Sequence, residues 1–236
     1  MPPTLLLLPG LLCDAAVWQP QVAALSDRVN CVVPNYASLN SLTSMAEHAL
    51  AVAPTGKFAL AGHSMGGRVA FEVMRLAPQR VAQLALLDTS YPPLGEGAEA
   101  EQEKARRCAL LEMARTQGMR AMGRAWASGM VHPSRLDTPL FESILQMIER
   151  NTAEMFAAQV QALLTRPDAT DVLASIRCPT LVLCGRQDTW SPPARHEEMH
   201  AAIPGSKLLV LEECGHMSTM EEPGKVGEAI AELVRR

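Results

Sequence analysis

Aromatic residues make up only 4% of this 236-residue chain, and none of its six cysteines forms a C-x-x-C pair. Cys13, Cys31, Cys108, Cys178, Cys184 and Cys214 stand mostly inside apolar runs. That placement argues against a disulfide framework and for reduced, partly buried thiols. Cys214 and His216 do not make a zinc site by themselves, because no further ligands at a familiar spacing accompany them. Basic runs stop at Arg106-Arg107 and Arg235-Arg236, and the net charge is −4. No nucleic-acid footprint follows from such a balance. No uninterrupted apolar run reaches the ~18 residues of a membrane span, so no membrane partner is expected. The amino end carries no Lys or Arg ahead of its apolar run, Pro9-Gly10 interrupts that run, and bulky Leu12 precedes Cys13. It reads as part of the folded domain, and the expected location is cytoplasmic.

With 48% apolar and 19% charged residues, the chain has the composition of a folded globular protein. Its length suits one large domain or a core with an insertion, burying about 70% of its extended surface. Short apolar runs alternate with helical patterns. Strands are expected at Thr4 to Leu8, Val29 to Val33, Phe58 to Ala61, Leu84 to Asp88, Thr180 to Cys184 and Lys207 to Leu211. Continuous apolarity in such runs suits parallel strands covered on both faces. Helices are expected at about Ala15 to Leu25, Leu42 to Ala53, Gly66 to Leu76, Pro193 to Ala202 and Lys225 to Val234. This alternation predicts a parallel α/β sheet.

Residues 96–166 break the rhythm with helical patterns and no persuasive strand, and read as a helical cap inserted between core segments 1–95 and 167–236. The scarcity of aromatics predicts a pocket lined largely by Leu and Met, which adapt to flexible aliphatic groups.

The chemistry-bearing segment is Gly62-His63-Ser64-Met65-Gly66-Gly67, which follows a strand and opens a helix. In that setting the small residues Gly62 and Gly66 permit the cramped turn that projects the Ser64 hydroxyl. Serine needs an imidazole to take its proton, and the imidazole needs an acceptor on its other nitrogen. His48 lies within a helix, His63 is committed to the turn, and His196 and His200 fall in a helix of surface character. His216, just beyond the last strand, is the preferred base, because α/β sheets gather their sites at strand C-terminal ends. Asp188 and Asp88 both follow or end strands; Asp188 is the more economical acid because its strand adjoins the one preceding His216.

The order of serine, acid and histidine brings in a family. The sequence resembles the α/β-hydrolase superfamily through LLLLPGLL at 5–12, GHSMGG at 62–67, CPTLVLCGRQDTWSPP at 178–193 and GHMSTMEEP at 215–223. The resemblance implies a shortened, mainly parallel six-stranded sheet in the order 2-1-3-4-5-6 flanked by helices. It also implies an oxyanion hole built from the backbone N–H groups of Leu11 and Met65, with Pro9 standing where relatives usually carry His. Loops near these residues add Leu12, Trp190 and Met217 as candidate pocket residues, and the insertion adds Trp126.

The constellation predicts acyl transfer to water, with Ser64, His216 and Asp188 as catalytic residues, and requires no metal or organic cofactor. A small or medium aliphatic carboxylic ester, with water, is the least committed substrate class. The general look of the cap and of Asn151 to Asp171 resembles small carboxylic-ester hydrolases, including pimeloyl-ester esterases and enol-lactone hydrolases. An enol-lactone hydrolase, a thioesterase or a carbon-carbon bond hydrolase would use the same triad, and a non-catalytic binding protein could share the fold. Arg106, Arg107, Arg124 and Arg150 are the candidates for meeting an anionic substrate.

Overall fold

The computed structural model describes residues 2–235. Six parallel strands form one sheet: β1 (Thr4–Leu8), β2 (Asn30–Val32), β3 (Phe58–His63), β4 (Val81–Leu87), β5 (Thr180–Gly185) and β6 (Lys207–Leu211), in the spatial order β2-β1-β3-β4-β5-β6. β1, β3 and β5 are buried at every residue, whereas the edge strands β2 and β6 are partly exposed. Their apolar runs are continuous because helices cover both faces.

These helices are α1 (Gln19–Leu25), α2 (Leu42–Val52) and α3 (Met65–Leu76) between the early strands. A second set, α4 (Gly97–Gln117), α5 (Met119–Ala127), α6 (Pro139–Glu149), α7 (Ala153–Leu164) and α8 (Thr170–Ser175), lies between β4 and β5. Last come α9 (Pro193–Ala202), α10 (Ser218–Glu221) and α11 (Pro223–Val234). Ser41 caps α2 by accepting the Ser44 N–H at 3.0 Å, satisfying an otherwise orphaned donor.

The expected elements are present, with shifted boundaries. β4 begins at Val81, three residues before the apolar run at Leu84, because pairing extends it through Gln83, which lies opposite Ala59. Asp88 falls just outside that strand, in a left-handed conformation with φ 47°. The first expected helix divides into a 3₁₀ turn at Ala15–Trp18 and α1, and α11 starts at Pro223, a residue suited to a helix's first position.

The helices between β4 and β5 are joined to one another and to the sheet by charge pairs and hydrogen bonds. Arg120 on α5 bonds Glu142 at 2.8 Å and Glu149 at 3.0 Å on α6. Beyond α6, Arg150 meets Asp14 at 2.6 Å, and the Asn151 amide donates to the Leu12 carbonyl at 3.0 Å. The segment after α6 therefore rests on the loop that follows β1. Because β1 is flanked by β2 on one side and β3 on the other, the loops after β1 and β3 diverge and leave a crevice at the carboxyl edge of the sheet.

Candidate active site

Ser64 occupies the single residue between β3 and α3 with φ 56° and ψ −118°, a backbone state that costs a non-glycine residue energy and persists only where its surroundings enforce it. Those surroundings are visible. The Ser64 N–H donates to the Leu87 carbonyl at 2.9 Å, and the Ser64 carbonyl accepts the Thr89 hydroxyl at 2.7 Å. A Cβ on Gly62 would stand 2.6 Å from the Gly66 carbonyl carbon, and one on Gly66 would run into the carbonyl of Leu8. Both positions thus require glycine for the strand and helix to approach so closely.

His216 follows β6 and turns back over the sheet. Its Nε2 lies 2.7 Å from Ser64 Oγ, and its Nδ1 lies 2.8 Å from Asp188 Oδ2. With the proton on Nδ1, His216 donates to Asp188 and accepts from the serine hydroxyl. The other Asp188 oxygen accepts the N–H groups of Trp190 at 2.8 Å and Ser191 at 2.9 Å, which pins the carboxylate. Burial by itself would depress the His216 imidazole, but the charge and hydrogen bond of Asp188, with Asp88 and Glu221 farther off, raise it above its ordinary value.

Asp88, the competing acid, faces elsewhere. It accepts the Gly185 N–H at 3.1 Å and the Ser218 hydroxyl, and burial, reinforced by repulsion from Asp188, raises its carboxyl well above the usual range. His63 is wholly buried, and its Nε2 is 2.8 Å from the His216 carbonyl, where the N–H tautomer donates. Burial and the proximity of His216 push its imidazole down to about 3, so it stays neutral.

Sequence reasoning missed three supporting residues. Glu221 is buried and accepts the N–H groups of Gly215, Met217 and His132. Its position within the GHMSTMEEP block was visible, but nothing in that block said where the carboxylate points. Gln159 on α7 accepts the Leu12 N–H at 2.9 Å and donates to the Ala37 carbonyl at 3.1 Å, fixing the loop after β1 from the insertion side. His196, expected on a helix of surface character, is instead fully buried and accepts the Thr89 N–H at 3.1 Å. Its neighbours come from β4's loop, a contact no local pattern reveals.

A cavity of about 790 Å³ opens above Ser64, between the sheet edge and helices α4, α5 and α7. Leu11, Met65 and His216 border it, together with Trp126, Phe156 and Trp190. Two candidate pocket residues are corrected: Leu12 and Met217 are wholly buried and do not line the cavity. Leu12 donates its N–H to Gln159, and Met217 donates its own to the Glu221 carboxylate. Leu11, Met65, Leu110 and Leu163 supply the expected Leu and Met lining, and three aromatics stand beside them, the Trp126 ring centroid lying 6.2 Å from that of Phe156 and 5.8 Å from that of Trp190. Arg106 and Arg107 line the cavity, whereas Arg150 is engaged with Asp14 and Arg124 lies over the Phe141 ring.

Comparison with known proteins agrees with this geometry. Residues 5–229 match the alpha/beta hydrolase family. The chain is 27% identical over 234 residues to a pimeloyl-[acyl-carrier protein] methyl ester esterase of Nitrosomonas europaea, covering 94% of this chain and 91% of that protein. A thermophilic esterase from Thermogutta terrifontis is 32% identical and superposes with a TM-score of 0.85 over 99% of this chain and 91% of its own. The enol-lactonase from Burkholderia xenovorans LB400 shares the fold at a TM-score of 0.87 and 21% identity, covering 100% of this chain and 92% of that one. A match that spans nearly the whole chain and includes the strand, turn and helix around Ser64 means that this protein is a hydrolase belonging to the alpha/beta hydrolase family.

Proposed function

We propose that the protein is a serine hydrolase that cleaves small or medium carboxylic esters through an acyl-enzyme intermediate, with residues 96–166 acting as a cap over the site. The observation that carries this reading is the hydrogen-bonded chain from Ser64 Oγ through His216 to Asp188, at 2.7 Å and 2.8 Å, opening directly onto the cavity. The named activities of the esterase relatives support it.

In this mechanism His216 takes the Ser64 proton as Oγ attacks the substrate carbonyl. The backbone N–H groups of Leu11 and Met65 stabilise the oxyanion; Met65 is the first residue of α3, where main-chain donors have no partner within the helix. His216 then gives its proton to the leaving alcohol, and the acyl group stays on Ser64. Water enters, His216 removes one of its protons, and collapse of the second tetrahedral intermediate releases the acid and restores the serine hydroxyl. Asp188 holds the productive tautomer throughout.

The reading is tested with p-nitrophenyl butyrate and a fluorophosphonate. Intact-protein mass spectrometry should find one adduct, mapped to Ser64 by peptide digestion, and Ser64→Ala should abolish both labelling and turnover. A labelled cysteine with Ser64 unmodified, or full activity in the alanine variant, overturns the assignment.

A further inference from the structure

The cavity carries a charge opposite to that of the chain. Although the net charge is −4, Arg68, Arg106, Arg107, Arg166 and Arg195 line the space in front of Ser64, against only Glu99 and Glu103. Glu103 bonds two of the five, Arg107 and Arg166, each at 2.8 Å. Arg195 pairs at 2.7 Å with Glu198, whose side chain is half exposed to solvent.

Arg68 is the distinctive member. It lies one helical turn beyond Ser64 on α3, so its side chain rises on the same face as the serine. Its Nη1 donates to the Pro92 carbonyl at 2.9 Å, and among the described residues no carboxylate is within ion-pair distance of it. Burial, followed by the charges of Arg166, Arg107 and Arg195, pulls its guanidinium down to about 9, with Glu103 opposing. A partly buried arginine beside other arginines is costly unless an anion completes it, and its planar donors suit a carboxylate.

We propose that this end of the cavity is an anion subsite, in which Arg68 with Arg106 and Arg107 receives a carboxylate carried by the ester substrate itself, at the end away from the scissile bond. The natural substrate is then an ester bearing a second, ionised carboxyl group. This inference rests on the ester-hydrolase reading and deepens it. The aromatic wall of Trp126, Phe156 and Trp190 accommodates the intervening apolar chain, and the arginines select its charged end.

The test compares kcat/KM for monomethyl glutarate, with the charge on the acyl side, and 4-acetoxybutanoate, with the charge on the alcohol side, against methyl pentanoate and butyl acetate as their neutral counterparts. At least one anionic ester should exceed its neutral partner by tenfold or more, and the preference should shrink as KCl is raised. Arg68→Gln should cut the preference about tenfold, and Arg68→Lys should restore part of it. Because Arg68 also holds Pro92, Arg106→Gln is the second variant: its side chain is exposed, and it should lower the preference severalfold without loss of folding. Glutarate should inhibit p-nitrophenyl butyrate hydrolysis more strongly than pentanoate does. If neither anionic ester is preferred, or if the preference is untouched in both glutamine variants, the subsite is refuted. Turnover of p-nitrophenyl butyrate that still depends on Ser64 would then leave the ester-hydrolase reading standing, whereas absence of any turnover would strike that reading instead.

Discussion

The Glu221 carboxylate grips the main chain on both sides of His216, accepting the N–H groups of Gly215 and Met217 at 3.1 Å each. A third N–H, from His132 at 2.7 Å, ties the same carboxylate to the segment between α5 and α6. Three main-chain donors, two of them fully buried, therefore depend on one side chain. Glu221→Ala leaves all three without that partner, at about 1–3 kcal/mol for each of the two buried ones, and should lower the melting temperature markedly. Glu221→Gln keeps one carbonyl acceptor and should fold. In that variant kcat should drop with little change in KM, as expected of a residue that positions His216 without meeting substrate. Thermal melts and steady-state kinetics on both variants check this.

Asp188 and Asp88 separate by function. Asp188→Asn removes the acceptor that holds the His216 tautomer and should lower kcat by about 10⁴, the loss that the same change causes in serine proteases. Asp88→Asn should stay within about tenfold of wild type, because burial already favours the uncharged carboxyl there and an amide oxygen can still accept the Gly185 N–H. Circular dichroism of both variants, alongside p-nitrophenyl butyrate rates, distinguishes the two roles; a larger loss at Asp88 would move the acid to β4.

The pH dependence has a definite sign. His216 must be neutral to accept the serine proton, and its imidazole is raised above the ordinary value. The kcat/KM profile should therefore climb from acid toward neutral pH with a midpoint above ~6.5, the unperturbed histidine value. In Asp188→Asn the residual activity should show a lower midpoint, since the charge and hydrogen bond that raise the imidazole are gone while its burial remains. A profile measured at constant ionic strength decides the point.

Trp190 lines the cavity with 44% of its surface exposed, and its indole N–H donates to the Gly129 carbonyl at 3.1 Å. Its contact with Asp188 is through the backbone, so Trp190→Ala leaves the acid held. The variant should raise KM more for p-nitrophenyl hexanoate than for the acetate, by about fivefold if ~1 kcal/mol of apolar contact is lost, with kcat nearly unchanged. An equal rise for both esters would show that the indole does not touch the acyl chain.

Much of this protein was legible in its sequence because the relevant signals are local. The continuous apolar runs at Leu5 to Leu8 and Thr180 to Cys184 marked buried parallel strands, since only a strand covered on both faces tolerates such a run. Gly62 and Gly66 marked the turn around Ser64, because the steric demand lies within five residues. Even the order of the sheet followed from the resemblance those motifs carry. Tertiary structure alone decided which groups meet across long stretches of chain. Arg68 and Arg166 enter one cavity, Gln159 reaches the Leu12 N–H, His196 is buried against Thr89, and Leu12 and Met217 turn away from the pocket. The physical reason is the same in each case: periodicity reports which face of an element is apolar, whereas the partner of a buried polar or charged side chain is set by the packing of elements far apart in sequence.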